Sequence, residues 1–292
     1  MIIPRFTYHE PATLTACLSI LGDHGDAAAP LAGGTDLLVN MKKGLIRPAV
    51  LVSLARIGEL GVISTDDNGR LRLGPMATMD TIASHAQIKR NFGILAQAAE
   101  SVGSPLIRNR ATIGGNLVTA RPAADSHGPL ICLDARVRLE KLSGAREIPV
   151  ETFFRGPGET LKKPDEVLTE IIIDRPLPGS GGAYCTFGIR KTLEIGVVNV
   201  AVFLALGTDG MINHARVALG AVAPKTFRSR NTEKGLIGNR PDKGTIKRAA
   251  EAAARDCRPI SDIRGSAEYR QTLVEVLTRR AIEDAVNQAS SA

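Results

Sequence analysis

Two short glycine stretches, Leu31-Ala32-Gly33-Gly34-Thr35-Asp36 and Thr112-Ile113-Gly114-Gly115-Asn116, stand about eighty residues apart. Each follows or ends an apolar run and leads into another. A Gly-Gly pair admits φ > 0 and leaves its N–H groups uncovered. Successive uncovered amides make an anion-binding concavity, and the flanking Thr and Asn add neutral polar groups. One such pair is ordinarily just a turn. Two of them, closing from opposite sides, suit a pyrophosphate. Neither has the form G-x-G-x-x-G or G-x-x-x-x-G-K-[ST], so the usual dinucleotide and Walker fingerprints are absent.

The 292 residues suffice for two or three compact units, and 43% hydrophobic with 23% charged residues describes a globular chain. No apolar run reaches the roughly 18 residues of a membrane span. The start, Met1-Ile2-Ile3-Pro4-Arg5-Phe6, lacks the charged and apolar regions of a signal peptide, so a cytoplasmic protein is expected. Cys17, Cys132, Cys185 and Cys257 are dispersed and read as buried free thiols. The five histidines form no H-x-x-x-H pair, so no metal site is expected. The net charge of +7 is scattered and aromatics are only 3%, which argues against a nucleic-acid groove. A solvated basic surface, or a face for an acidic protein partner, accounts for it.

Leu14, Leu18 and Leu21 predict a helix over 11–25. Ala27–Leu31 reads as a strand into the first glycine stretch, Thr35–Lys43 as a helix stopped by Gly44, and Val50–Leu54 as a strand. These make a β-α-β-like unit, residues 1–55. A second unit, 56–175, begins with strands at 62–64 and 71–74 around Asp66-Asp67-Asn68-Gly69. Helices follow at Met79–His85 and Phe92–Val102, the latter broken by Ser104-Pro105. Asp125 precedes the short apolar helix Leu130–Leu133, where an N-cap is its simplest role. A hairpin turns at Ser143-Gly144. Pro176–Ser180 reads as a linker into a third unit, 176–292. That unit holds three strands (Ala183–Lys191, Val197–Gly207, Ile212–Ala221) and two helices (Thr245–Asp256, Ser266–Gln288).

No nucleophile elbow, Cys/His pair or clustered carboxylates stand at a usable spacing, so no catalytic residue is assigned. A pyrophosphate clamp without its own acid, base or nucleophile points to a cofactor that supplies the reactivity. Lys191, in Gly188-Ile189-Arg190-Lys191-Thr192, reads as a surface cation or as a positive charge beside an electron-rich ring.

These residues carry a resemblance. The chain resembles the FAD-binding medium subunit of the molybdenum hydroxylases, the group of xanthine dehydrogenase, carbon monoxide dehydrogenase and 4-hydroxybenzoyl-CoA reductase. It does so through Ala32-Gly33-Gly34-Thr35-Asp36-Leu37, Thr112-Ile113-Gly114-Gly115-Asn116, Pro122-Ala123-Ala124-Asp125, Asp165-Glu166-Val167-Leu168, Arg190-Lys191 and Gly220-Ala221-Val222-Ala223-Pro224. Ala96–Val102 is similar to the reductase branch in particular. The resemblance implies an α+β fold: a two-subdomain FAD-binding domain of the PCMH type, then a C-terminal α/β domain with a three-stranded antiparallel sheet plus helices. It implies that 31–37 and 112–116 bind the FAD pyrophosphate from two sides and that Asp125 bonds cofactor hydroxyls. Val102, Leu168 and Lys191 would lie near the isoalloxazine. The implied partners are a large molybdenum–pterin subunit and a small subunit with two [2Fe–2S] clusters, assembled as a dimer of heterotrimers. Electrons would pass from those clusters through FAD to an external acceptor.

The reductase carries a cysteine-rich insertion for a [4Fe–4S] cluster after the second glycine motif. Here Asn116 runs to Asp125 and Cys132 with one cysteine nearby, so that cluster cannot be built. A hydroxylase acting on an aromatic, heteroaromatic or aldehyde substrate is the better expectation. The alternatives are a self-sufficient FAD-dependent oxidoreductase on the same fold and a non-enzymatic binding module.

Overall fold

The computed structural model describes residues 3–190 and 193–291. The first unit holds β1 (Thr7–His9), α1 (Leu14–His24), β2 (Ala28–Leu31), α2 (Leu37–Lys42) and β3 (Val50–Ser53). Its three strands run parallel in the order β1-β3-β2. Parallel neighbours need a crossover, and α2 supplies it between β2 and β3. Helix α1 starts where Thr13 Oγ1 accepts the Ala16 amide at 3.2 Å, and it buries Cys17, Leu18 and Leu21 on one face. Chain reversal after α2 is made at Gly44, φ +72°.

The second unit holds β4 (Ile63–Thr65), β5 (Leu71–Leu73), α3 (Met79–Ser84), α4 (Ala86–Asn91), α5 (Gly93–Ser101), α6 (Pro105–Arg108), α7 (Ile113–Thr119), α8 (His127–Cys132), β6 (Arg136–Lys141), β7 (Gly144–Pro149), α9 (Val150–Phe153), β8 (Phe154–Gly156), β9 (Glu159–Thr160) and β10 (Val167–Ile173). Its main sheet is antiparallel, in the order β4-β5-β10-β6-β7. Alternate residues Leu71, Leu73, Val137, Leu139, Ile171 and Ile173 point to one face and meet Ile82, Leu95, Leu117 and Leu130 of the helices. Ser104-Pro105 does end the preceding helix, but it also opens α6: Ser104 Oγ accepts the Ile107 amide and Pro105 takes the first helical position.

The third unit holds β11 (Ser180–Phe187), β12 (Val198–Leu206), β13 (Ile212–Gly220), β14 (Phe227–Arg228), α10 (Arg230–Leu236), α11 (Lys243–Asp256) and α12 (Ala267–Ser291). The antiparallel sheet has four strands, not three, because the two-residue β14 adds to β13. Two residues are too short a run to show an alternation in sequence. Apart from Asn199, strand β12 is apolar because both faces are covered. Val200, Val202 and Leu204 face α12, whereas Ala201 and Phe203 join the core of the second unit. Gly128 on α8 lets helix and sheet close up; a Cβ there would stand 3.0 Å from that of Ala201.

Candidate cofactor-binding site

The chain leaves β2 at Leu31 and enters α2 at Leu37, and the loop between them carries the first glycine stretch. Gly34 has φ +76°, the left-handed conformation that glycine allows without strain. Among the described residues the amides of Gly33, Gly34, Thr35 and Asp36 meet no acceptor. Four consecutive free donors on a loop form the concavity expected of an anion site.

The second stretch is built differently. It is not a turn but the first part of helix α7, and Gly114 and Gly115 have ordinary negative φ. Its amides are already bonded. Ile113 N donates to Ala77 O, Gly114 N to Pro75 O, Asn116 N to Thr112 O, and Gly115 N to Thr112 Oγ1 at 3.1 Å. The expected second concavity of free N–H groups is therefore absent. The physical reason is that Thr112 caps the helix with its own side chain. The glycines serve approach instead of φ. A Cβ on Gly114 would drive into Pro75, and one on Gly33 would enter the backbone carbonyl of Arg110. A Cβ on Gly115 would meet only Thr112 Oγ1, at 3.0 Å, so this glycine presents a bare surface.

The two stretches face one cleft of about 890 Å³ between the first and second units. Ala32, Gly33, Gly34, Thr35, Asp36 and Leu37 line it from one side. Thr112, Gly114, Gly115 and Asn116 line it from the other, and Val102 and Leu168 also reach it. Leu54 and Met76 add apolar wall, and Ile195 of the third unit closes one edge.

Three expected residues do not line the cleft. Leu31 turns under the loop, its Cδ1 3.3 Å from where a Gly34 Cβ would stand. Ile113 is fully buried in the core of the second unit, as a helix N-terminus with one apolar face requires. Asp125, half-buried, turns to other partners: its Oδ1 accepts the Ser101 hydroxyl at 3.1 Å and the Tyr184 hydroxyl at 2.8 Å. Nor is it an N-cap, since α8 starts after Ser126 with no side-chain cap. Burial raises the Asp125 pKa, against the two hydroxyl bonds that lower it. Lys191 falls outside the described residues.

Besides parts of the apolar wall, the sequence reading missed three ionisable contributors. Lys162 and Arg121 are the cations among the described lining residues, and His127 supports the wall from behind. Lys162 sits in Leu161-Lys162-Lys163-Pro164, which looks like a solvated loop, and nothing local betrays its position. His127 is fully buried, stacked on Phe154 with ring centroids 4.1 Å apart, and its Nε2–H donates to Asn116 O at 3.2 Å. Burial pushes its pKa down to about 4.

Fold and cleft together define an α+β protein whose first two units enclose a cleft with four free backbone amides in its wall. Residues 4–176 match the FAD binding domain in molybdopterin dehydrogenase, and 183–285 match the CO dehydrogenase flavoprotein C-terminal domain. The carbon monoxide dehydrogenase medium chain of Hydrogenophaga pseudoflava is 33% identical over 98% of both chains. The putative xanthine dehydrogenase FAD-binding subunit of Escherichia coli (strain K12) is 30% identical over 97% of both. Among solved structures, carbon monoxide dehydrogenase from H. pseudoflava superposes with a TM-score of 0.94 at 33% identity, covering 99% of each chain. The chain belongs to the FAD-binding medium subunits of the molybdenum hydroxylases, a family of oxidoreductases. Its residues fit FAD. The free amides of 33–36 suit a diphosphate, the bare face at Gly115 leaves room beside it, and the apolar wall suits flat rings. The cleft volume lies in the upper part of the range of roughly 300–1,000 Å³ for small-molecule sites.

Proposed function

We propose that this chain is the electron-transfer subunit of a molybdenum-containing hydroxylase or dehydrogenase. Electrons from [2Fe–2S] clusters of a small partner subunit pass through its FAD to an external acceptor, and substrate is converted on a large molybdenum–pterin subunit. The observation that carries this reading is the chemistry of the cleft wall. Among the described lining residues the ionisable side chains are Asp36, Arg121 and Lys162, with no His, Cys or Tyr to act as base or nucleophile. Such a site binds and shields; bound FAD supplies the redox chemistry.

Each part of the wall has a task in this reading. The amides of Gly33, Gly34, Thr35 and Asp36 hold the diphosphate by backbone N–H donation. Thr112, Gly114, Gly115 and Asn116 form the facing wall, kept narrow by Gly114 packed on Pro75. Val102 and Leu168 exclude water around the rings, and Lys191 places a positive charge at the ring edge. Asp125, Leu31 and Ile113 act from behind the wall, as supports. The chain divides at 55 and 175, so the cleft lies between its first two parts. The assembly is a dimer of heterotrimers in the cytoplasm. No helix among the described residues is long and apolar enough to cross a membrane.

The test is purification of the native complex and of the separated chain. The complex is expected to carry two further polypeptides, molybdenum, [2Fe–2S] signals and about one FAD per copy of this chain. Its flavin should bleach on addition of substrate, while that of the separated chain should not. A separated chain whose flavin is reduced by that substrate at the same rate overturns the proposal in favour of a self-sufficient flavoenzyme.

A further inference from the structure

Lys162 is a half-buried lysine in the wall of the cleft, and no carboxylate of the described residues pairs with it directly. Its Nζ donates to the Lys163 carbonyl at 2.9 Å, a neutral partner. No carboxylate of the described residues lies within 4.0 Å of it. The two nearest acids are engaged elsewhere. Glu166 takes Arg146 at 2.7 and 2.9 Å and the Lys163 amide at 2.7 Å, and Asp165 faces Lys141 at 3.9 Å. Desolvation depresses the Lys162 pKa, partly offset by the charges of Glu166 and Asp165 beyond 4.0 Å and by the nearby Cys17 thiol of α1. An ammonium taken partly out of water, with its nearest acids paired to other cations, is costly, and an anion in the cleft would relieve the cost.

The neighbours of Lys162 indicate which anion. Cys17, Val167 and Ala32 pack in one apolar cluster, and Ala32 is the first residue of the loop with the four free amides. Lys162 and that loop line the same cleft, which thus holds both a cation and the free donors. We propose that the Lys162 ammonium is the counter-charge for the diphosphate of the bound cofactor in this chain. The assignment rests on the FAD-subunit reading above and adds to it a residue that neither glycine motif contains. A charge-assisted hydrogen bond to phosphate adds to what neutral amides provide.

The experiment titrates FAD, ADP and riboflavin into the full chain stripped of flavin, comparing wild type, Lys162→Met and Lys162→Arg. Lys162→Met should weaken FAD and ADP by about 10- to 100-fold, in line with the worth of a hydrogen bond to a charged group. Riboflavin, which has no phosphate, should bind all variants alike, and the midpoint potential of bound flavin should not move. Lys162→Arg should restore most of the affinity. Lys162→Gln replaces the methionine variant if circular dichroism shows that the latter does not fold. Unchanged FAD affinity overturns the proposal, as does an equal loss for riboflavin or a shifted potential with affinity intact, which would put the charge at the ring. A wild-type chain that binds ADP but not FAD would sink the FAD-subunit reading itself, a result distinct from all of these.

Discussion

The Cα of Gly33 packs against the backbone carbonyl of Arg110 so closely that a Cβ would lie inside the oxygen. Residues in two different units thus meet backbone to backbone at the floor of the cleft. Because the obstacle is main chain, no side-chain rotation relieves it. Gly33→Ala is expected to cost about 1–3 kcal/mol, the range for an overpacked site. It should lower the melting temperature of the flavin-free chain, measured by calorimetry. An unchanged melting temperature with lost FAD would mean that Gly33 serves the cofactor alone.

Gly115 behaves oppositely. Its missing Cβ would stand 3.0 Å from the Thr112 hydroxyl alone, so a side chain there needs only a few tenths of an ångström of give. Gly115→Val should lose FAD while the circular dichroism of the apo chain stays as in wild type. Flavin content after gel filtration is the readout; retained FAD would show that this face of α7 is not part of the binding wall.

Acid should loosen the fold through His127. Its folded pKa is about 4, whereas an unfolded chain has the ordinary 6.5. Between those values the unfolded chain binds a proton that the folded one does not, so stability falls as pH drops from 6.5 to 4. The full loss, reached below pH 4, is about 3 kcal/mol for one buried imidazole. Protonation adds to Nδ1 and leaves Nε2–H on the Asn116 carbonyl, so FAD should be lost only as the fold itself is lost. In His127→Gln the pH slope of denaturant-measured stability should flatten there; an identical slope would assign the acid effect to carboxylates.

The separated chain should contain no iron. Cys17, Cys132 and Cys257 are buried, Cys185 is half-buried, and burial raises the pKa of each thiol. Cys132 is held by bonds to the Ala201 and Arg216 carbonyls. Iron analysis of the chain freed from its partners checks this, and stoichiometric iron would show that thiolates gather in a way this fold does not display.

Much of the architecture was legible locally. Leu14, Leu18 and Leu21 mark one face of α1, Gly44 ends α2, and the alternation in 71–73 and 136–141 matches strands whose inner faces build the second core. These features depend on periodicity and φ, which neighbouring residues set among themselves. The two glycine stretches also declared themselves, and both reach the cleft. What a glycine does there was not legible. Gly34 supplies a positive φ, Gly33 and Gly114 supply backbone approach, and Gly115 supplies open space, yet all four look alike as letters. The resemblance assigned Asp125 to cofactor hydroxyls, and only the tertiary structure shows that its carboxylate accepts the hydroxyls of Ser101 and Tyr184, from α5 and β11. Lys162, in Leu161-Lys162-Lys163-Pro164, looks like a solvated cation in the sequence, yet it lines the cleft. Local sequence determines elements and their turns, because those energies are short-ranged. Which donors stay unpaired, and which charge is left without a partner, depends on what the rest of the chain brings within a few ångströms. That was decided by the tertiary structure alone.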